Sequence, residues 1–218
     1  MTLFDCRTAE GRAAGLAAAV DTIRAGRLIV LPTDTVYGIG ADAFAPAAVR
    51  DLLAAKGRGR HMPPPVLVGD AAQLADLAPD APPVAADLAA AYWPGGLTVI
   101  VSHAPELAWD LGDTGGTVGV RMPDDPVAVE LLRRTGPLAV SSANLTGTPP
   151  AATAADAVEA FGTAVGTYLE TGPCPGGVPS TVVSLVGDRP RLIRAGAVPA
   201  RALRTLLPDL VESSTAAR

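Results

Sequence analysis

Helix-forming and strand-forming patterns alternate along this chain, and that alternation limits the possible folds more than any other feature. Residues 10–25 carry apolar side chains at helical spacing, and the run RLIVLP that follows predicts a buried strand. A second helix is predicted from Pro46 to Lys56. Further helices are predicted near 71–77, 84–92, 126–135, 154–161 and 199–207, and further strands at Val66–Val68, Thr98–Val101, Val118–Arg121, Leu138–Val140, Thr181–Val186 and Leu192–Arg194. The pattern predicts an α/β domain whose sheet is covered by helices.

Length and composition predict one domain. With 218 residues, 49% of them hydrophobic, the chain can bury a core without a disulfide or a metal. Its Pro- and Gly-rich segments are short, so we interpret them as loops of a single domain over residues 1–208, followed by a C-terminal tail at 209–218. The two cysteines form no CxxC pair, the N-terminus is too charged for a signal peptide, and no apolar run approaches the roughly 18 residues of a membrane span. These features predict a cytoplasmic protein with no membrane partner.

Lysine is nearly absent from this sequence. Of 17 basic residues only Lys56 is a lysine. A chain that uses Arg wherever charge alone is needed should keep Lys where a compact ammonium differs chemically from a guanidinium, so Lys56 is a candidate functional residue. It opens the run Lys56-Gly-Arg58-Gly-Arg60, in which three cations and two glycines suit a polyphosphate ligand. A solvated basic turn is the alternative interpretation.

Polar side chains recur where the predicted strands end. Ligands of open α/β sheets commonly bind at the carboxyl ends of strands. A guanidinium at the end of an apolar strand is costly unless it meets an anion, and hydroxyl and amide groups suit phosphate or ribose oxygens without adding negative charge. The residues that form this pattern are Thr33, Arg121, Ser142, Asn144, Ser180 and Arg194.

Two kinds of site are not favoured by the sequence. The two histidines, His61 and His103, and the two cysteines have no metal-ligand spacing, so no metal site formed by the chain itself is predicted. There is no GxSxG motif, which disfavours a serine nucleophile. The remaining groups bind anions and position substrates without covalent catalysis.

Seven segments resemble the YrdC/Sua5 family of L-threonylcarbamoyladenylate synthases. They occur in one order and cover most of the chain: PTDTVYGIGADAF (32–44), KGR (56–58), YWPGGLTVIV (92–101), VGVRMPDDP (118–126), AVSSANLTGTPP (139–150), PSTVV (179–183) and LIRAG (192–196). The resemblance implies a YrdC/RibB-like fold, in which helices wrap a twisted, mostly mixed sheet with a large concave cavity. We expect the short form, without the additional C-terminal domain of longer members.

The resemblance also implies residue roles. The positions that contact threonine are matched by Thr33, Arg121 and Ser180. The positions that serve ATP are matched by Lys56, Arg58, Val140, Ser142, Asn144 and Arg194, to which we add Arg60 because its charge is nearby. Lys56 and Arg58 are expected to act in catalysis. Gly69 stands where many members have a histidine, and IRAG replaces LRPG around Arg194, so part of the pocket is expected to differ.

The implied reaction joins L-threonine, bicarbonate (or CO2) and ATP into threonylcarbamoyl-AMP and pyrophosphate. Mg2+ would accompany ATP, and the enzyme would be a nucleotidyltransferase that makes the donor for N6-threonylcarbamoyladenosine in tRNA. The implied partners are a downstream threonylcarbamoyl transferase complex acting on tRNA, with a possible direct tRNA contact. Two alternatives stay open: a non-catalytic module that binds double-stranded RNA or tRNA, and a carbamoyl-transfer domain like that of hydrogenase-maturation proteins.

Overall fold

A computed structural model describes residues 1–212 as strands and helices that alternate along the chain. The first half contains β1 (Thr2–Asp5), α1 (Ala9–Arg24), β2 (Leu28–Leu31), β3 (Gly38–Asp42), α2 (Pro46–Ala55), β4 (Val66–Leu67), α3 (Gln73–Leu77), α4 (Val84–Tyr92) and β5 (Leu97–Ser102). The second half contains β6 (Thr117–Arg121), α5 (Pro126–Thr135), β7 (Leu138–Ser142), α6 (Ala154–Phe161), β8 (Val165–Glu170), β9 (Thr181–Ser184), β10 (Arg191–Arg194), α7 (Ala200–Leu203) and β11 (Val211–Glu212).

The strands form one large mixed sheet. Their order is β1-β8-β2-β3-β7-β4-β6-β5-β9-β10-β11. Parallel pairs such as β4 with β6 and β5 with β9 stand beside antiparallel pairs such as β3 with β7 and β5 with β6. The α/β class and the mixed, helix-covered sheet are therefore confirmed.

Local signals explain where several helices begin. The Asp125 carboxylate accepts hydrogen bonds from the backbone N–H groups of Val127 and Ala128 at the start of α5, and proline follows it at the first helical position. At the start of α6, the Thr153 hydroxyl accepts from Asp156 N while the Asp156 carboxylate accepts from Thr153 N, which is a capping box. These contacts involve near neighbours in sequence, so the starts of both helices are predictable.

Four strands were not predicted from the sequence, namely β1, β3, β8 and β11. In β3 the glycines allow close approach of the neighbouring strand, because a Cβ atom on Gly38 would lie 2.5 Å from Val140 Cγ1. All residues of β8 are buried, so it lacks the polar alternation that indicates a half-exposed strand. The predicted helix at 199–207 is also shorter in the structure, where α7 ends at Leu203.

The end of the chain contributes to the sheet. Val211 and Glu212, within the segment predicted as a tail, pair in parallel with β10, and Leu210 is buried. Residues 213–218, which include the remainder of that predicted tail, lie outside the described residues. None of the helices in the described chain has the length and apolar character that crossing a membrane requires.

Apolar side chains pack on both faces of the sheet. One cluster lies against α2, α4 and α6, and a second, smaller cluster packs α1 and α5 onto the opposite face. Leu67 and Val140 belong to the smaller cluster and also line a cavity. The cavity opens mainly on the α1 and α5 face, because its lining residues Thr98, Gly119 and Val182 alternate along their strands with residues of the larger cluster.

Candidate functional site

A cavity of about 300 Å³ lies over the central strands of the sheet. Successive side chains of a strand point to opposite faces, so alternate residues supply most of the lining that comes from β5, β6 and β9. Lining residues of this kind are Thr98 and Ile100 in β5, Thr117, Gly119 and Arg121 in β6, and Val182 in β9. Hydroxyl groups, guanidinium groups and apolar surface thus meet in one hollow.

The structure brings most of the predicted site residues to this cavity. Seven of them line it: Thr33, Arg58, Arg121, Val140, Ser142, Ser180 and Arg194. Lys56 and Asn144 are buried next to the wall that carries Ser142, and Arg60 lies outside the lining. The ordered motifs, although far apart in sequence, therefore converge at one site.

Arg121 is the most tightly held cation of the cavity. Its Nε donates to Gly95 O at 2.9 Å, Nη1 donates to Thr35 Oγ1 at 2.9 Å, and Nη2 donates to the Asp34 carboxylate. The side chain is only 7% exposed, and burial lowers the pKa of Arg121 while Asp34 opposes that change. Three of the five guanidinium N–H donors have these protein partners, which leaves two for a ligand.

The loop after β2 is held by the hydroxyl of Thr33. Thr33 Oγ1 accepts hydrogen bonds from Thr35 N at 3.1 Å and Val36 N at 3.2 Å, and it donates to Val36 O at 2.7 Å. Such a turn fixes the backbone between β2 and β3. Thr33 therefore lines the cavity and also positions Thr35, the partner of Arg121.

Arg58 and Arg194 reach the cavity with neutral partners. Arg58 Nη1 donates to Ser141 Oγ at 2.9 Å, whereas Arg194 Nη2 donates to Ser180 O at 2.8 Å and to Ser180 Oγ at 3.0 Å. Burial lowers the pKa of both arginines, and the charges of Arg121 and Arg58 lower that of Arg194 further. An anion in the cavity would relieve this repulsion.

Lys56 lies beneath the turn that follows β7. Its Nζ donates to Ser142 O and, at 2.7 Å, to Asn144 O. Asn144 Nδ2 donates to the carbonyl groups of Leu145 and Thr148, while its Oδ1 accepts from Ser142 Oγ. Burial, assisted by the charge of Arg58, lowers the pKa of Lys56 to about 7. In this structure both residues shape the turn that presents Ser142.

Arg60 and Gly69 do not belong to the lining of the cavity. The Arg60 guanidinium pairs on the surface with Asp110 at 2.8 Å and Asp113 at 3.2 Å, and Asp110 raises the pKa of Arg60. A Cβ atom on Gly69 would lie 2.8 Å from Arg133 N in α5. The backbone at Gly69 thus packs against a helix, and the position adds no side chain to the cavity lining.

Sequence reasoning missed the lining residues in the interior of strands. It singled out residues at strand ends and did not include Thr98, Thr117 or Gly119, which line the floor. Strand alternation carries a usable signal, because Thr117 and Gly119 precede Arg121 by four and two residues and therefore share its face. Among residues 1–212, no three His, Cys, Asp or Glu side chains lie close enough together to hold a metal ion.

Comparison with known sequences supports the resemblance. The family model Sua5/YciO/YrdC, described by the words telomere recombination, matches residues 21–196. A Mycobacterium tuberculosis protein named putative threonylcarbamoyl-AMP synthase is 52% identical over 195 residues, which cover 89% of this chain and 90% of that protein. The Bacillus subtilis threonylcarbamoyl-AMP synthase is 39% identical over 186 residues, covering 84% of this chain and 54% of its own length.

Comparison with solved structures gives the same result. The Pyrococcus abyssi Sua5 structure in complex with L-threonine matches with a TM-score of 0.90 and 32% identity, over 97% of this chain and 62% of that one. Escherichia coli YciO shares the fold with a TM-score of 0.78 at 24% identity, covering 89% of this chain and 93% of YciO. On these sequence and structural matches, the chain belongs to the Sua5/YciO/YrdC family.

Proposed function

We propose that this protein is a threonylcarbamoyl-AMP synthase, which converts L-threonine, bicarbonate or CO2, and ATP into threonylcarbamoyl-AMP and pyrophosphate. The observation that carries the proposal is the shared cavity. Within the described part of the chain, Arg58 and Arg194 have only neutral oxygen partners there, and Arg121 keeps two donors free. Polyphosphate and carboxylate are the anions that suit such groups. The 52% identical relative named for this reaction supports the same assignment.

In the proposed arrangement, Arg121 binds the carboxylate of threonine through its two remaining N–H donors. A guanidinium fixed by three protein contacts can bind a carboxylate with little further loss of side-chain freedom. Thr33 and Ser180 complete the amino-acid end of the cavity. Arg58, Arg194, Ser142 and the backbone of Val140 serve the nucleotide.

The chemistry needs no nucleophile from the protein. The neutral amine of threonine forms a bond to the carbon of CO2, one C=O π pair moves onto oxygen, and the nitrogen gives a proton to water, which yields a carbamate. A carbamate oxygen then forms a bond to the α-phosphorus of ATP, while the bond from that phosphorus to the pyrophosphate oxygen breaks and the electron pair leaves with pyrophosphate. Holding the two reactants in attack geometry is worth about 7–11 kcal/mol, and Arg58 and Arg194 offset charge on the leaving group.

Mg2+ is proposed to enter with ATP. Because the described residues offer no metal-binding cluster, its ligands would be phosphate oxygens and water, and when bound it supplies neutralisation of phosphate charge. Lys56 is assigned to positioning the Ser142–Asn144 turn, through which it acts on the nucleotide end of the cavity. A direct contact between Lys56 or Arg60 and a phosphate stays a prediction.

The names of the curated relatives favour this synthase over a non-catalytic RNA-binding module. Transfer of the product onto tRNA by a downstream complex, and direct contact of this chain with tRNA, stay predictions. Salt-dependent RNA binding without threonine-dependent use of ATP would favour the RNA-binding module instead.

The experiment is a product assay. Purified protein is incubated with ATP, Mg2+, bicarbonate and L-threonine, and the adenylate is identified by mass while pyrophosphate is measured. We expect both products only when threonine and bicarbonate are present together. Pyrophosphate release that does not depend on threonine, or no adenylate at any protein concentration, would contradict the proposal.

A further inference from the structure

A short chain of hydrogen bonds lies at the edge of the cavity and ends at Ser180. Arg194 Nη2 donates to Ser180 Oγ at 3.0 Å, and Thr98 Oγ1 lies 2.9 Å from the same oxygen. Thr98 lines the cavity on β5 but was not among the residues predicted from the sequence. The direction of the bond between the two hydroxyl groups decides what Ser180 can offer a ligand.

Hydrogen-bond accounting favours Thr98 as the donor. A serine hydroxyl has one donor and two acceptor positions, and Arg194 already occupies one acceptor position of Ser180. Among residues 1–212, the Thr98 hydroxyl has no hydrogen-bond partner other than Ser180, and Thr98 is only 2% exposed. Either direction leaves one of the two hydroxyl protons without a protein acceptor among these residues. Ser180 is the less buried residue, at 6% exposed, so donation by Thr98 places the free proton on the hydroxyl with more access to the cavity.

The consequence is a Ser180 proton that has no protein acceptor. With both acceptor positions filled by Arg194 and Thr98, the Ser180 hydroxyl can only donate to a further group. Hydrogen bonds that run in one direction polarise one another, so this O–H becomes a stronger donor. The methyl group of Thr98 lies towards Gly119, with its Cγ2 atom 3.1 Å from where a Cβ atom of that glycine would be.

We infer that Thr98 is a positioning residue for the amino-acid substrate, because its hydroxyl holds the Ser180 O–H as a donor towards the cavity. The inference rests on the proposed function, in which Ser180 contacts threonine. The substrate group at this position is then a hydrogen-bond acceptor, either a carboxylate oxygen or the side-chain oxygen of threonine.

The test compares Thr98→Val, which removes the hydroxyl at nearly constant shape, with Thr98→Ser, which keeps it. L-threonine binding is measured by calorimetry, and KM and kcat for L-threonine and for ATP are measured by pyrophosphate release. Thr98→Val should raise Kd and KM for L-threonine by about 3- to 10-fold, as expected for one hydrogen bond, and leave kcat and the KM for ATP within twofold. Thr98→Ser should stay close to wild type.

A second site provides a matched control. Thr167 in β8 is 3% exposed and shares a hydroxyl–hydroxyl bond of 2.7 Å with Thr22, outside the cavity. Thr167→Val removes the same type of bond and should leave both KM values unchanged. Combining Thr98→Val with Ser180→Ala should weaken L-threonine binding no more than Ser180→Ala alone, because Thr98 acts through Ser180.

Several outcomes would overturn the inference. The inference is wrong if Thr98→Val leaves the KM for L-threonine unchanged, or if it changes only the KM for ATP. It is also wrong if adding Thr98→Val to Ser180→Ala weakens threonine binding further. If the valine variant does not fold, Thr98→Ser and Thr98→Ala provide the same comparison, since both lack the methyl group and only one keeps the hydroxyl. If the wild-type protein binds threonine and turns over, and Thr98→Val behaves identically, this inference alone is wrong. If the wild-type protein neither binds threonine nor turns over, the proposed function is wrong as well.

Discussion

The arginines on the surface and the arginines in the cavity are neutralised in different ways. Within residues 1–212, five surface arginines pair with carboxylates: Arg7, Arg12, Arg60, Arg134 and Arg204. In the cavity, Arg58 and Arg194 bond to hydroxyl and carbonyl oxygens, which carry no net charge. Arg121 is intermediate, because Asp34 neutralises it while two of its donors stay free.

This contrast between surface and cavity arginines indicates where an anion binds. Water screens an exposed cation, so a surface arginine contributes little whether or not it is paired. A partly buried cation without a counter-charge has a higher free energy until an anion arrives. The lowered pKa values of Arg58 and Arg194, caused mainly by burial, report this cost. Burial and missing counter-charge together, rather than positive charge alone, mark the proposed substrate site.

The largest effect is expected at Arg121. Arg121→Met leaves the Asp34 carboxylate, only 17% exposed, without its cation. Removing one partner of such a pair should lower the free energy of unfolding by about 3–5 kcal/mol and abolish threonine-dependent turnover. Urea denaturation and pyrophosphate release measure the two effects.

A double variant separates the two roles of Arg121. Adding Asp34→Asn to Arg121→Met removes the unpaired charge and should recover part of the lost stability without recovering activity. Equal stability of the single and double variants would show that water solvates the Asp34 carboxylate well, and that more water reaches the cavity than the structure indicates.

The next largest effect is expected at Arg58, and a surface arginine serves as the control. Arg58→Met should lower kcat/KM for ATP by about 10- to 100-fold, the range for a hydrogen bond to a charged group. Arg134→Met removes an exposed pair with Glu130 and should change kcat/KM less than twofold. Steady-state kinetics of both variants measure these changes. Similar losses of kcat/KM in the two variants would contradict the proposed difference between cavity and surface arginines.

Features of the fold that depend on near neighbours in sequence could be predicted, whereas features that depend on distant residues could not. The starts of α5 and α6 were predictable because Asp125 and Thr153 cap them locally. Strands β3 and β8 were missed because their identity depends on partners distant in the chain. Gly38 and Gly40, for example, are explained only by the side chain of Val140 on the neighbouring strand.

The site shows the same limit. Residues at strand ends were predictable because polar groups beside apolar runs stand out, as Arg121 does at the end of β6 and Ser180 does just before β9. The directions in which the side chains point could not be predicted from the sequence. Lys56 bonds to carbonyl groups 86 and 88 residues away, and no local pattern distinguishes that arrangement from a lysine that points at a phosphate.

Stability should depend on pH through Lys56. In the unfolded chain the pKa of lysine is near 10.4, whereas in the folded protein that of Lys56 is about 7, so the unfolded state binds more protons between these values. The free energy of unfolding should therefore rise with pH above about 7, with a contribution from Lys56 of about 1 kcal/mol per pH unit. Urea titrations from pH 7 to 8.5 measure the slope. Lys56→Met should reduce it, and an identical slope in both proteins would place a protonated lysine in the folded state.

The smallest effect is expected at Arg60, where the sequence and the structure point in different directions. The sequence associates Arg60 with ATP because its charge lies near Arg58, but its pairing with Asp110 and Asp113 leaves it half exposed and neutralised. Arg60→Met should leave the urea unfolding midpoint nearly unchanged, because exposed ion pairs contribute little, and should change the KM for ATP by less than about threefold. Kinetics at two salt concentrations test this, since a screened surface charge would lose even that small effect in high salt. A tenfold rise in the KM for ATP would mean that Arg60 exchanges its aspartate partners for a phosphate, and that surface pairing in the free protein does not exclude a role in binding.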